Sequence, residues 1–167
     1  VRGVMNAVSN HKNELVDFET ALAEAEVEYK DHQSHTIWVK FPVVAGPEAL
    51  DGAKVVIWTT TPWTLPSNLA VAVHPEVDYV VVESDATGRS ERYLLAEARV
   101  AAYARELGEN PTVVARHKGA ELLGRTYTPP FSYYVGHQNA HQILSADYVT
   151  TEDGTGLVHI APAFGEE

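Results

Sequence analysis

A chain of 167 residues, 45% of them apolar, is long enough for one globular domain with a real core and too short for two. It has no cysteine, no apolar run near the ~20 residues of a membrane span and no signal-peptide layout, which excludes disulfides, thiolate zinc sites and a membrane partner and predicts a cytoplasmic setting. A net charge of −11 with few, scattered basic residues argues against a basic stripe along a nucleic-acid backbone and by itself favours a chain that binds no nucleic acid; any RNA taken is a short single-stranded end whose remainder other domains hold.

Residues 1–18 show no readable pattern, and the start on Val1 reads as an excised piece. Residues 19–30 have helix-forming composition, although Val27 and Tyr29 already alternate as in a strand. From Thr36 to Val43 a strand is predicted, with Ile37, Val39 and Phe41 on one face and Trp38 and Lys40 on the other. Gly46-Pro47 and Asp51-Gly52 mark a loop. Lys54 to Trp58 is a β-rich run that stops in three threonines. Leu69–Val73 and Val77–Glu83 read as strands around His74-Pro75, and Thr87-Gly88 as a turn before Tyr93. Between Ala96 and Leu107 lies the one clear helix, striped by Val100, Ala104 and Leu107, with Gly108 placed to end it in the left-handed conformation. The basic residues are densest here: Arg89, Arg92, Arg99, Arg105, Arg116, Lys118 and Arg125.

Thr112 to Arg116 returns to strand, Pro129-Pro130 breaks the chain, and Ser145 to Thr150 is a further strand candidate. Asp153-Gly154-Thr155-Gly156 is a turn before a last strand, Leu157 to Ala161. Many short strands with few helices predict a β-rich α+β domain, with a distorted β-barrel as its form.

Two segments carry polar groups suited to chemistry. In Trp58-Thr59-Thr60-Thr61-Pro62-Trp63-Thr64-Leu65-Pro66-Ser67-Asn68, the prolines each remove a backbone donor and fix φ, so the segment leaves the ladder. Its hydroxyls then project from a stiff backbone as small groups that both donate and accept. A threonine-rich edge strand turning a corner on an aromatic base would look the same. In Asp153 to Gly165, a period of two puts Leu157, His159 and Ala161 on one face and Val158 and Ile160 on the other. That pattern suits a pocket wall, or equally a core strand with a hydrogen-bonded histidine. No Gly-Lys-Ser/Thr follows the glycines, so they form no phosphate loop.

The remaining candidates point elsewhere. His137/His141 and His32/His35 have helical spacing, but without the glutamate of a metalloprotease motif or any thiolate they read as surface histidines; no metal or cofactor is expected. Glu152 and Asp153 are adjacent in a turn and diverge. No Gly-x-Ser-x-Gly nucleophile elbow is present.

Together, Trp58 to Asn68 and Gly154-Thr-Gly-Leu-Val-His-Ile-Ala-Pro-Ala-Phe-Gly165 resemble the two pocket signatures of isoleucyl-tRNA synthetase editing domains. Ala21 to Tyr29, Leu69 to Pro75 and Tyr127 to Pro130 extend the resemblance over residues 19–167, leaving 1–18 unmatched. Leucyl and valyl editing domains have Arg-Pro-Asp-Thr or Arg-Pro-Glu-Thr where this chain has Thr61-Pro62-Trp63-Thr64, which selects the isoleucyl branch. The family inserts this domain into a Rossmann catalytic domain whose ATP-handling signatures are absent here.

The resemblance implies hydrolysis of valine misattached to the isoleucine tRNA, leaves open whether valyl-adenylate is cleaved as well, and implies partners in the tRNA 3′ end and the remaining synthetase domains. It implies catalytic roles for Thr59, Thr60, Thr61 and His159, where Thr59 and Thr60 meet the terminal adenosine or a water. Binding roles fall to Trp58, Pro62, Trp63, Thr64, Asn68, Gly156 and Ala161, with Thr61, Trp63, Thr64, His159 and Ala161 lining a valine pocket and Asn68 supporting the loop. His159 is expected to act above all as a size gate. The family's ammonium-binding aspartate follows shortly after Gly165, where this sequence reads Glu166-Glu167 and stops. An acidic chain without that aspartate also fits a non-catalytic module that holds a tRNA end or another domain.

Overall fold

The computed structural model describes residues 35–44, 50, 52–108 and 111–164. Contacts divide the chain between His35 and Thr36, and the described fold is that of the second unit. Residues 1–18, the 19–30 segment, His32 and Gly46-Pro47 lie outside the described residues.

Among the described residues, eight strands form two mixed sheets. The larger has the order β1 (Ile37–Pro42), β2 (Ala53–Thr59), β5 (Glu91–Ala96), β4 (Asp78–Ser84), β6 (Thr112–Lys118). β2 runs antiparallel to β1 and parallel to β5, and β4 is antiparallel to both of its neighbours. The alternation read in the first strand is present: Ile37, Val39 and Phe41 turn inward, and Trp38 and Lys40 outward. In β2 the same period buries Ala53, Val55, Ile57 and Thr59 and half-exposes Lys54, Val56 and Trp58. β4 is covered on both faces, as an unbroken Val80-Val81-Val82 run demands. Its register with β6 jumps from Val81↔Ala115 to Val82↔Val113, so Val114 is the bulged residue and points outward, 40% exposed.

The smaller sheet has β3 (Ala70–Val73) at its centre, parallel to β7 (Gln142–Ser145) and antiparallel to β8 (Leu157–Ile160). β3 divides its side chains between two cores: Val71 and Val73 join Leu157 in the main one, while Ala70 and Ala72 meet Val149 and Ile160 in a second. The domain is thus β-rich with few helices, and its two sheets do not close into a barrel among the described residues.

Several predicted elements take another form. The helix over 96–107 is a 3-10 helix from Glu97 to Tyr103, followed by α1 (Ala104–Leu107). The three-residue period aligns Val100 with Tyr103, whose buried ring meets Trp38 edge-on at 6.1 Å. Gly108 has φ 85 but ψ 159, which is not the left-handed cap. The Ser84 hydroxyl instead donates to the Leu107 carbonyl at 2.7 Å and satisfies it. The strand candidate over 145–150 is also displaced: β7 ends at Ser145, and the Val149 N–H turns back to the Ala146 carbonyl. A short helix, α2 (Gly119–Leu122), is started by the Glu121 carboxylate accepting from the Lys118 N–H at 3.3 Å.

On the outer face of the larger sheet Glu91 accepts from Lys54, Tyr93 and Lys40. Those bonds, that from Lys54 foremost, hold its carboxyl at about 2. No helix among the described residues is long and apolar enough to cross a membrane.

Candidate functional site

Thr59, the last residue of β2, points to the buried side and its hydroxyl accepts from the Thr61 N–H at 3.1 Å. The backbone leaves the ladder there and enters a 3-10 helix, Pro62–Ser67. Pro62 sits in its first turn, where no N–H is needed. Both the N–H and the hydroxyl of Thr64 donate to the Thr61 carbonyl, at 3.1 and 2.8 Å. The loop is closed on itself, so Thr60, Thr61 and Trp63 stand exposed while Thr64 and Leu65 are buried beneath them.

β8 carries the second segment to this loop. His159 pairs with Val71 across the β3–β8 ladder, and Asn68 lies two residues before β3. The His159 Nε2 is 2.9 Å from the Thr64 Oγ1, and its Nδ1 is 2.9 Å from the Asn68 Nδ2. Donor directions follow from the partners. The Ala70 carbonyl, 3.0 Å from Nδ2, can only accept, so the amide nitrogen faces both it and His159. Nδ1 of His159 must therefore accept, and the ring proton lies on Nε2. The Thr64 hydroxyl, having given its own hydrogen to Thr61, takes that proton's hydrogen bond. His159 is a neutral imidazole with both nitrogens engaged, and burial holds its pKa below the ordinary value.

Ala161 is buried at the end of β8 and its carbonyl accepts from Phe164 at 2.9 Å, opening a second 3-10 turn, Pro162–Phe164. The two 3-10 turns pack together, each with an exposed ring, Trp63 at 63% and Phe164 at 60%. Thr59, Thr60, Thr61, Pro62, Trp63, Thr64, Asn68, His159 and Ala161 thus belong to one loop-and-strand assembly.

Two expected residues stand apart. Trp58 is on the opposite face of β2 from Thr59 and lies against Gly154. That face, with Trp38, Val56, Tyr93, Leu95, Tyr103 and Leu107, lines a separate cavity of about 360 Å³. Gly156 packs against Ala96, and its carbonyl accepts from the buried Tyr79 hydroxyl at 2.7 Å. Two residues of the assembly were not anticipated. Tyr127 donates to the Asn68 Oδ1 at 2.6 Å. His141, read as a surface histidine, is 7% exposed, and its Nε2 has no partner. Both are brought in by strand pairing and not by local sequence, so spacing offered no signal. His137 is exposed as expected.

His141 is also held below the ordinary imidazole pKa, first by burial and further by His137. A histidine with a lowered folded pKa stabilises fully above its unfolded value and loses that contribution as the pH falls toward the folded one. The melting midpoint should therefore be level above about pH 7 and decline below about pH 6.5, and His159→Gln should flatten part of that decline. A slope of the opposite sign in thermal scans across pH 5–8 would contradict the neutral network.

The cations are largely occupied. Arg92 pairs with Glu83, Arg116 with Glu97 and Lys118 with Asp78. Arg99 is spent on the carbonyls of Gly154 and Glu152. No group of three His, Asp or Glu side chains converges as a metal site among the described residues.

No family model matches the chain. Its sequence is similar to isoleucine–tRNA ligases. It is 55% identical over 141 residues to that of Mycobacterium tuberculosis, covering 83% of this chain and 13% of the relative. Identity is 53% over 158 residues with Nocardia farcinica, covering 92% and 14%. With Pyrococcus abyssi it is 46% over 159 residues, covering 89% and 14%. The chain spans only 13–14% of the length of these relatives. Among solved structures, the leucyl-tRNA synthetase domain GlLeuRS-CP1 superposes with a TM-score of 0.59 at 17% identity, over 77% of this chain and 55% of that one. The editing domain of the P. knowlesi cytosolic leucyl-tRNA synthetase follows at 0.53 and 15%, over 65% and 46%. High identity across most of the chain, on the fold of synthetase editing domains, makes it a segment of the isoleucine–tRNA ligase family.

Proposed function

We propose that residues 19–167 form the proofreading module of a cytoplasmic isoleucyl-tRNA synthetase, hydrolysing valine wrongly esterified to the isoleucine tRNA. One methylene in an apolar pocket is worth only about 1–3 kcal/mol, the recognised limit for this class of synthetase, so a second, smaller pocket is needed to clear valine. The observation that supports this reading is the joining of the two segments through Thr64 and His159, with the exposed residues Thr60 and Thr61 above them and the Thr61 hydroxyl 3.3 Å from that of Thr59.

An aminoacyl ester is already activated. A water held by the exposed threonine hydroxyls and the free ribose hydroxyl attacks the carbonyl carbon, giving a tetrahedral oxyanion. Collapse breaks the bond to the ribose oxygen, which takes up the proton that the water has lost. The work of the protein is orientation and oxyanion stabilisation. Thr59, with its hydroxyl already accepting from Thr61, holds the loop. His159 has no free lone pair for base catalysis and serves as the wall that stops isoleucine. The tRNA 3′ end and the remaining synthetase domains are the partners.

The test is deacylation of valyl- and isoleucyl-esterified isoleucine tRNA by this chain and by the full synthetase. Valine should be cleared and isoleucine spared, and Thr60→Ala with Thr61→Ala should slow valine clearance by about 10²-fold. A full synthetase that is folded and charges tRNA, yet clears neither ester, would leave only the non-catalytic binding module.

A further inference from the structure

We propose that Tyr127 is a positioning residue for His159, acting through Asn68 to set which ring nitrogen carries the proton. The part this plays in selecting valine rests on the editing reading above; the coupling itself does not.

The hydrogen bonds run in one direction. Tyr127 Oη donates to Asn68 Oδ1 at 2.6 Å, Asn68 Nδ2 donates to His159 Nδ1 at 2.9 Å, His159 Nε2 donates to Thr64 Oγ1 at 2.9 Å, and Thr64 Oγ1 donates to the Thr61 carbonyl at 2.8 Å. Each donor polarises the next, so the set behaves as a unit. It begins in the core, where Tyr127 and Asn68 are each 2% exposed, and ends at the exposed loop.

The anchor is rigid. The Tyr127 N–H donates to the His141 carbonyl at 3.1 Å, and the Thr128 N–H to the Pro42 carbonyl at 2.8 Å. Its ring stacks on Phe41 at 5.1 Å and meets His141 edge-on at 5.9 Å. A hydroxyl this deep is unfavourable unless bonded, and a phenylalanine would pack equally well on Phe41. Burial also raises the phenol pKa, keeping the group a neutral donor.

What the hydroxyl adds is a second hold on the amide, whose Nδ2 also donates to the Ala70 carbonyl at 3.0 Å. With Oδ1 held by Tyr127 and Nδ2 by Ala70, the amide presents Nδ2 to His159. Without the Tyr127 bond the buried Oδ1 has no partner, only the Ala70 carbonyl opposes a turn of the amide, and the turned fraction offers His159 an acceptor. The ring proton then moves to Nδ1, and Thr64 loses its donor. A purely structural tyrosine would leave the tautomer alone.

The experiment is nitrogen-15 NMR of labelled histidine in the full 167-residue chain, comparing Tyr127→Phe with the parent, alongside deacylation by the full synthetase. The parent should show His159 as a single Nε2–H tautomer, and the folded variant a mixture. In the synthetase, Tyr127→Phe should lower the preference for valyl over isoleucyl ester by about 10-fold. A single unchanged tautomer in a folded variant overturns the coupling whatever the editing result. A mixed tautomer with unchanged preference overturns the positioning role. If the parent synthetase edits nothing, the editing reading fails while the NMR still decides the coupling. Should Tyr127→Phe not fold, 3-fluorotyrosine at position 127 keeps the ring and strengthens the donor. The His159 Nδ1 resonance should then shift, and an unmoved resonance overturns the coupling.

Discussion

His159→Ala in the full synthetase is expected to let the editing site clear isoleucyl-tRNA at least about 10-fold faster than the parent, while valine clearance falls by less than about 10-fold. The ring bridges Asn68 and Thr64, and both of its nitrogens are engaged. Removing it opens more space than the single methylene that separates the two amino acids. The partners left behind reach water in that space, so the stability cost should stay near 1–3 kcal/mol. A loss of more than about 10²-fold on both esters, in a folded variant, would mean that the chemistry needs the imidazole. Paired single-turnover deacylation of the two esters separates these outcomes.

Gly156→Ala should give a large loss of stability. Gly156 has φ 77, which costs a side-chain-bearing residue about 1–2 kcal/mol. An added Cβ would lie 2.4 Å from the Ala96 Cβ, so β5 or the turn must shift. Overpacking of that kind adds about 1–3 kcal/mol. The Gly156 carbonyl also receives the Tyr79 hydroxyl at 2.7 Å, and that bond would move with the turn. A fall in melting temperature of roughly 5–15 °C follows for a domain of this size. Gly154→Ala is the control: φ is also positive, at 58, but the nearest atom is a Trp58 ring carbon at an ordinary 3.5 Å. If the two variants melt within about 2 °C of each other, the close approach at Ala96 is not the cause.

Both predictions concern the second segment, and their legibility differs. The alternation of β1 and β8 was visible because period-two burial is local: Ile37, Val39 and Phe41 turn inward, and Val158 and Ile160 meet the second core. The 3-10 geometry over Glu97–Tyr103 was not visible, since an alanine-rich run suits either helix and the choice falls to Tyr103 against Trp38. The Ser145–Thr150 candidate failed because Val149 fills the second core from a turn and mimics a strand residue. Trp58 stands beside the threonines in sequence, but one step along a strand reverses the face. The site was legible as two segments and not as a network. Tyr127 is 59 residues from Asn68, and His159 is 95 from Thr64; their meeting depends on β3, whose own residues carry no polar side chain.

That dependence makes the site all-or-none. His159 faces Thr64 because β8 is paired with β3 in one register, His159 opposite Val71. A slip of one residue would send the imidazole to the side of Ala70 and Ala72 and bring a branched aliphatic chain to the threonines. No intermediate alignment exists in which the histidine is merely askew. Insertions in the long stretch between the segments, and substitutions there outside Tyr127, should therefore be silent until they disturb this pairing, and then abolish selection in a single step.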